Sequence, residues 1–270
     1  MKKFLILLLV GLVALGQINP LFALTAKEII TKVDNLEDGD TSISKLTMIL
    51  IDKKGNKRIR KTKGFRKDYG EDTKSITYFL SPADVKNTTF LAFDYDDEAK
   101  EDDNWLYLPA LRKVKRIASG NKKDSFMGTD FSYHDMNGLN IDEWDYQIIK
   151  ESAKIDGHDC WVIGSVPKKA IAKAVIKDTG YLKRVGWIRK DNFMMLQSKI
   201  WVKKGKKLKV LKASEIKKIQ DIWTVGKLEM KTLDRKGRLE HATVLLFDEV
   251  LYNKGVDDNT FTTQQMERGL

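Results

Sequence analysis

Few residues of this 270-residue chain are of the kinds that do covalent or acid–base chemistry, and their spacing argues against most of it. Its three histidines, His134, His158 and His241, fit neither an H-x-H nor an H-E-x-x-H pattern, so neither a shared metal ion nor a histidine base is expected. Ser119, Ser125 and Ser132 lie outside any G-x-S-x-G elbow, and no glycine-rich phosphate loop is present. The acidic run DYDDEAKEDDN, residues 94–104, offers carboxylates for calcium. It lacks the glycine of an EF-hand loop, and it reads as a solvated hairpin tip. Cys160 is the single cysteine, set in the apolar HDCWVI; it excludes an intramolecular disulfide and reads as a small buried residue. The expectation is no catalytic residue, no metal, no cofactor and no enzyme.

The N-terminus bears on compartment instead. Lys2 and Lys3 precede an apolar run over residues 4–15, broken by Gln17, Asn19 and Pro20, and Ala23 offers a small residue for cleavage. Residues 1–23 therefore read as a secretory signal peptide and 24–270 as one mature domain. With no cysteine near the cut to carry lipid, a soluble periplasmic protein is expected. No later apolar run is long enough to span a bilayer. The net charge of +11 suits an anionic membrane surface or an acidic protein, or simply a solvated sheet exterior, since many lysines alternate with apolar residues. Basic clusters at 53–67, 112–123 and 203–212 would fit nucleic acid, but an exported chain does not meet it.

The elements that must position any site are mostly strands. Thr25 and Glu28 form a capping box before an amphipathic helix that aligns Ile29, Ile30, Val33 and Leu36. From residue 42 the period becomes two, and about a dozen strands follow in meander order, separated by turns such as DKKGNK at 52–57. Further helical pattern is read only near Pro82 and over 126–136. This is a mainly β, α+β chain at the spacing of an antiparallel sandwich or barrel.

Alternation also names the apolar rows. Leu46, Met48 and Leu50 share a face, as do Leu91, Phe93 and Tyr95; Trp105 with Tyr107; Trp144 with Tyr146 and Ile148; and Met194, Leu196, Ile200 and Val202, broken by Ser198. Met127, Met136, Met194 and Met195 suit an adaptable apolar pocket. Pattern alone leaves open a filled core or a lipid-sized cavity, and a slip of one register would exchange the faces.

The segments WLYLP (105–109), RKVKRI (112–117) and DSFMGTDF (124–131), with DDNTFT (257–262) near the end, resemble the LolA-like family of outer-membrane lipoprotein-sorting proteins. That resemblance implies a curved antiparallel sheet forming an incomplete β-barrel of about 11–12 strands, covered by a few short lid helices. It implies a cavity for the acyl chains of lipoproteins or lipids. The expected cavity residues are Leu46, Met48, Leu50, Leu91, Phe93, Tyr95, Trp105, Tyr107, Trp144, Tyr146, Met194 and Leu196, with Phe126, Met127, Gly128 and Phe131 in the lid or its hinge. An arginine inside the barrel is implied to bond the closed lid, with Arg60, Arg66, Arg112 and Arg116 as candidates. The implied partners are an inner-membrane transporter and an outer-membrane acceptor, with the carrier a monomer. The competing reading is a periplasmic sensor or adaptor using the same barrel to signal to a membrane partner.

Overall fold

The computed structural model describes residues 23–97, 100–137 and 140–270. The signal-peptide reading rests on residues 1–22, which lie outside the described residues. The chain begins with helix α1 (Ala26–Asp34), whose Thr25 accepts from the Glu28 amide while the Glu28 carboxylate accepts from the Thr25 amide, as the capping box requires.

The first run of strands is β1 (Thr41–Asp52), β2 (Lys57–Tyr69), β3 (Asp72–Ser81), β4 (Thr89–Asp94), β5 (Asp103–Leu108) and β6 (Lys113–Arg116). After a long segment of turns the second run is β7 (Trp144–Ile155), β8 (His158–Pro167), helix α2 (Ala172–Thr179), β9 (Tyr181–Arg189), β10 (Met195–Val202) and β11 (Leu208–Ser214). A small hairpin, β12 (Lys217–Ile219) and β13 (Ile222–Thr224), precedes β14 (Lys227–Leu233), β15 (Leu239–Tyr252) and helix α3 (Thr263–Arg268). Gln220 and Asp221, both at positive φ, make the tight turn of that hairpin.

Among the described residues thirteen strands pair antiparallel in one sheet, in the order β6-β5-β4-β3-β2-β1-β15-β14-β11-β10-β9-β8-β7. The first and last long strands, β1 and β15, zip together in the middle over Ser42 to Asp52. The sheet is not closed into a barrel: β6 and β7 are its edges. Lys113, Lys115 and Arg116 on the β6 edge discourage pairing with another sheet.

Register carries one face across the whole sheet. Leu106 pairs with Phe90, Phe90 with Thr77, Arg60 with Met48, Met48 with Leu245, and Leu245 with Leu228. The same face continues from Met230 to Leu211, Ser198, Gly186, Ile163 and Ile148. This is the inner face, covered by residues 117–136 at one end and α1 at the other. On the outer face α3 covers β3 to β5, with Phe261 and Met266 buried on Ile76, Tyr78 and Leu91.

Two helices were not legible as such. α2 and α3 have only eight and six residues, too short for a clear 3.6-residue period. Near Pro82 the chain makes turns rather than a helix, and residues 126–136 hold two single 3₁₀ turns, Phe126–Gly128 and His134–Met136. Among the described residues no helix is long and apolar enough to cross a membrane.

Candidate functional site

The inner face divides into two halves. Over β1 to β5, β14 and β15 it is filled. Phe126 and Phe131 descend from the covering segment onto Met48, Leu50, Phe79, Phe90, Met230 and Leu245. Phe126 meets Phe79, Phe90 and Tyr133 with ring centres 5.0–6.1 Å apart. The segment presents these rings because it is a tight loop. Ser125 bridges to Ser132, the Phe126 amide donates to the Phe131 carbonyl, and the Thr129 hydroxyl donates to the Phe126 carbonyl. At its tip Met127 (φ 50°) and Gly128 (φ 78°) are left-handed. Gly128 takes this conformation freely, whereas Met127 does so at a cost of about 1–2 kcal/mol.

Two polar ties hold that loop to the sheet. Arg60, buried on β2 and stacked near Phe79, donates from Nη1 to the Met127 carbonyl at 2.6 Å. Asp130, also buried, accepts from the Thr243 hydroxyl at 2.8 Å and from Thr232, and lies 2.7 Å from His241 Nδ1. Its amide donates to the Thr243 oxygen. A buried carboxylate with this many partners is satisfied rather than reactive. Of the four candidate arginines, only Arg60 reaches the cover. Arg66 pairs with Asp38 and Asp68, Arg116 with Asp103, and Arg112 occupies a left-handed turn after Pro109–Leu111.

The second half, over β7 to β11, is covered by α1. Ile29 and Ile30 pack on Ile163 and Ile188, but between helix and sheet a cavity of about 250 Å³ remains, walled chiefly by Ile30, Ile163, Met195, Ile200, Leu211 and Met230. Here the cover is tied a third time. Asp135 accepts from Ser132 and, at 2.6 Å, from the Tyr181 hydroxyl, which in turn accepts from Lys209 Nζ at 2.9 Å. Burial opposes ionisation of Asp135, yet Lys209, the Ser132 amide, Tyr181 and Arg184 together hold its carboxyl below the usual range. Burial also pushes the Lys209 amine and the His134 imidazole down. His134 borders a second, larger cleft of about 830 Å³, whose walls carry Asp34, Asp38, Asp68, Asp96 and Asp102. Burial raises the carboxyls of Asp34 and Asp38 there, and so polar a lining does not suit an acyl chain.

The structure redistributes the residues expected in a cavity. Leu46, Met48 and Leu50 are on the inner face beneath the cover. Trp144 and Tyr146 pack with Tyr181, Val175 and Ile200, and Tyr146 reaches the cavity. Leu91, Phe93, Trp105 and Tyr107 do share a face, but it is the outer one, where they pack in the cluster of α3 and the C-terminal segment. Phe90, Ala92, Leu106 and Leu108 point inward in their place, and Tyr95 borders the acidic cleft. The strands are apolar on both faces, so alternation could not choose between them. On β10 a bulge between Met195 and Gln197 shifts the pattern: Met195, Ser198 and Ile200 line the cavity, while Met194 and Leu196 are buried elsewhere. Phe126 and Phe131 are the buried anchors of the cover, and Met127 and Gly128 its turn. Arg184 and Lys209 carried no motif, and only their strand parity, given the register, places them inside; Asp130 and Asp135 come from the covering segment, where no period predicts which side chains turn toward the sheet.

An incomplete antiparallel sheet whose inner face is covered by short segments defines the LolA-like class of fold. A family model described as "-like: Uncharacterized protein" matches residues 71–268. A DUF1329 family protein from Desulfovibrio piger is 30% identical, over 89% of this chain and 97% of its own, with a TM-score of 0.79. A putative outer membrane lipoprotein-sorting protein domain from Vibrio parahaemolyticus is 29% identical over 90% of this chain and 98% of its own, with a TM-score of 0.78. A LolA superfamily protein from Nitrosomonas europaea, 16% identical over 90% of this chain and 100% of its own, shares the fold at a TM-score of 0.66. A comparison with curated proteins finds no match. The chain belongs to the DUF1329 family and has the LolA-like fold, with a structural neighbour described as a putative outer membrane lipoprotein-sorting protein domain.

Proposed function

We propose that this protein is a periplasmic carrier that holds acyl chains of lipoproteins or lipids against the inner face of its sheet and moves them toward the outer membrane. The observation that carries the reading is the cover. Residues 122–136 lie on a wide apolar face, yet they are fastened by discrete polar ties and pass through a strained turn at Met127. Such a segment can leave its seat when another apolar group takes the place of Phe126 and Phe131. An acyl chain gains about 0.8 kcal/mol per buried CH₂, so a chain of a dozen carbons offers roughly 10 kcal/mol to offset the displaced rings. The cavity beneath α1 is the part of the face open to a ligand before any such movement.

On this reading the chain receives cargo from an inner-membrane transporter and releases it to an outer-membrane acceptor, acting as a monomer. Its basic exterior favours approach to anionic head groups. Native mass spectrometry of the protein purified from the periplasm, followed by organic extraction, tests it. A co-purifying mass of acylated peptide or lipid is expected. An apo mass, with no uptake of a fluorescent acyl probe, would overturn carriage and favour the sensor or adaptor.

A further inference from the structure

Arg184 stands on β9 with its side chain on the cavity wall, between Ser165 of β8 and Ile200 of β10. Its guanidinium carbon lies 4.9 Å from the ring centre of Tyr181 and 5.0 Å from that of Trp144, so two aromatic side chains fix where it sits. Among the described residues it makes no ion pair and donates no hydrogen bond. Its Nε is shut off from solvent with no acceptor, and so is Nε1 of Trp144, one of the rings it stacks on. Arg184 as a whole is half-buried, but donors shut off from solvent are nearly always satisfied, and these two are not.

The carboxylate nearest to Arg184 in charge is engaged elsewhere through one oxygen. Asp135 is the carboxylate whose charge Arg184 feels, but its Oδ2 is taken by Ser132 and Tyr181, with Lys209 Nζ 3.7 Å away, and Arg184 makes no ion pair with it. Lys209 and Arg184 flank Ile200 from the two strands beside β10. Two cations thus share one carboxylate; Arg184 and Asp135 line the cavity, whose remaining wall is mostly apolar, and Lys209 lies outside that lining. Binding a neutral hydrocarbon there would leave the guanidinium donors unmet.

We propose that Arg184 is a head-group site, and that the cavity takes a single-chain amphiphile ending in an anionic oxygen head, a carboxylate or a phosphate. This rests on the carrier reading and narrows its cargo. The head accepts from Arg184, with Lys209 as the second positive charge, while the chain runs beneath α1 along Ile163 and Met195.

Isothermal titration of the delipidated full-length protein with dodecanoate, dodecyl phosphate and dodecanol separates the possibilities. Both anions are expected to bind at least about tenfold more tightly than the alcohol. The tighter anion identifies a free fatty acid or a phosphate-bearing lipid as the source. Arg184→Gln is expected to abolish that preference while still binding the alcohol, and Arg184→Lys to keep part of it. Because the Gln variant loses the stacking on Trp144, its fold is checked by circular dichroism, with the Lys variant deciding if it unfolds. Equal affinity for dodecanoate and dodecanol in the wild type, or an undiminished preference in Arg184→Gln, would overturn the head-group site and leave the carrier reading standing. No binding of any of the three would overturn both.

Discussion

The two halves of the inner face are built from the same antiparallel strands but are finished differently. The half formed by β1 to β5 with β14 and β15 is packed by aromatic rings from a covering loop, and its charged residues, Arg60 and Asp130, are each paired with that loop or the sheet. The half formed by β7 to β11 has α1 and only the end of the covering segment above it. There a cavity persists, and its charged residues, Asp135, Lys209 and Arg184, do not balance. Where side chains fill the space, polar groups serve to fasten. Where they do not, a polar group is left over, and that is the place to look for a ligand.

If this contrast holds, substitutions in the two halves behave differently. The largest effect is expected from Phe126→Ala, which empties the centre of the filled half; about 3–5 kcal/mol of stability is lost, read from the denaturant midpoint. Ile30→Ala, beside an existing cavity, should cost less and alter acyl binding instead. A larger loss for Ile30→Ala than for Phe126→Ala would end the comparison. Next, Asp130→Ala removes the carboxylate shared by Thr232, His241 and Thr243 and is expected to cost about 3 kcal/mol, with faster hydrogen exchange over 126–136 and little change in β7 to β9. Arg60→Met keeps the bulk but frees the Met127 carbonyl; about 1–3 kcal/mol is expected, with exchange again rising in the loop. Uniform loosening of both halves would show that the loop is not a separable cover.

The smallest effect is a pH dependence confined to the second half. The Asp135 carboxyl lies below its unfolded value, so its contribution is present above about pH 4 and fades as pH falls through the folded value. The stability advantage of wild type over Asp135→Asn should therefore be level toward neutrality and shrink in acid. An advantage that grows in acid would contradict the arrangement around Tyr181 and Lys209.

Much of this fold could be read from period and turns. The helix at Thr25, the hairpin at 52–57 and the succession of strands all follow from local patterns. What could not be read is which face of a strand turns inward when both are apolar. Leu91 and Trp105 are as apolar as Phe90 and Leu106, and only α3, a six-residue helix from the far end of the chain, decides between them. The bulge at Met195 displaced the row on β10 for a similar reason, since a single extra residue carries no compositional mark. The polar ties were hidden because each joins residues far apart in sequence, Arg60 to Met127 and Asp130 to His241, and nothing local marks the partner.

The two free edges of the sheet, β6 and β7, are consecutive in the chain, and the segment joining them is the one that covers the inner face. The cover is thus a drawstring threaded between the two sides of a slit. Displacing Phe126 and Phe131 would therefore act on both edges at once, and under the proposed carrier role so would the entry of cargo. If the protein carries cargo as proposed, loading and uncovering would be one movement, and the paired β1 and β15 in the middle of the sheet would stay as its spine.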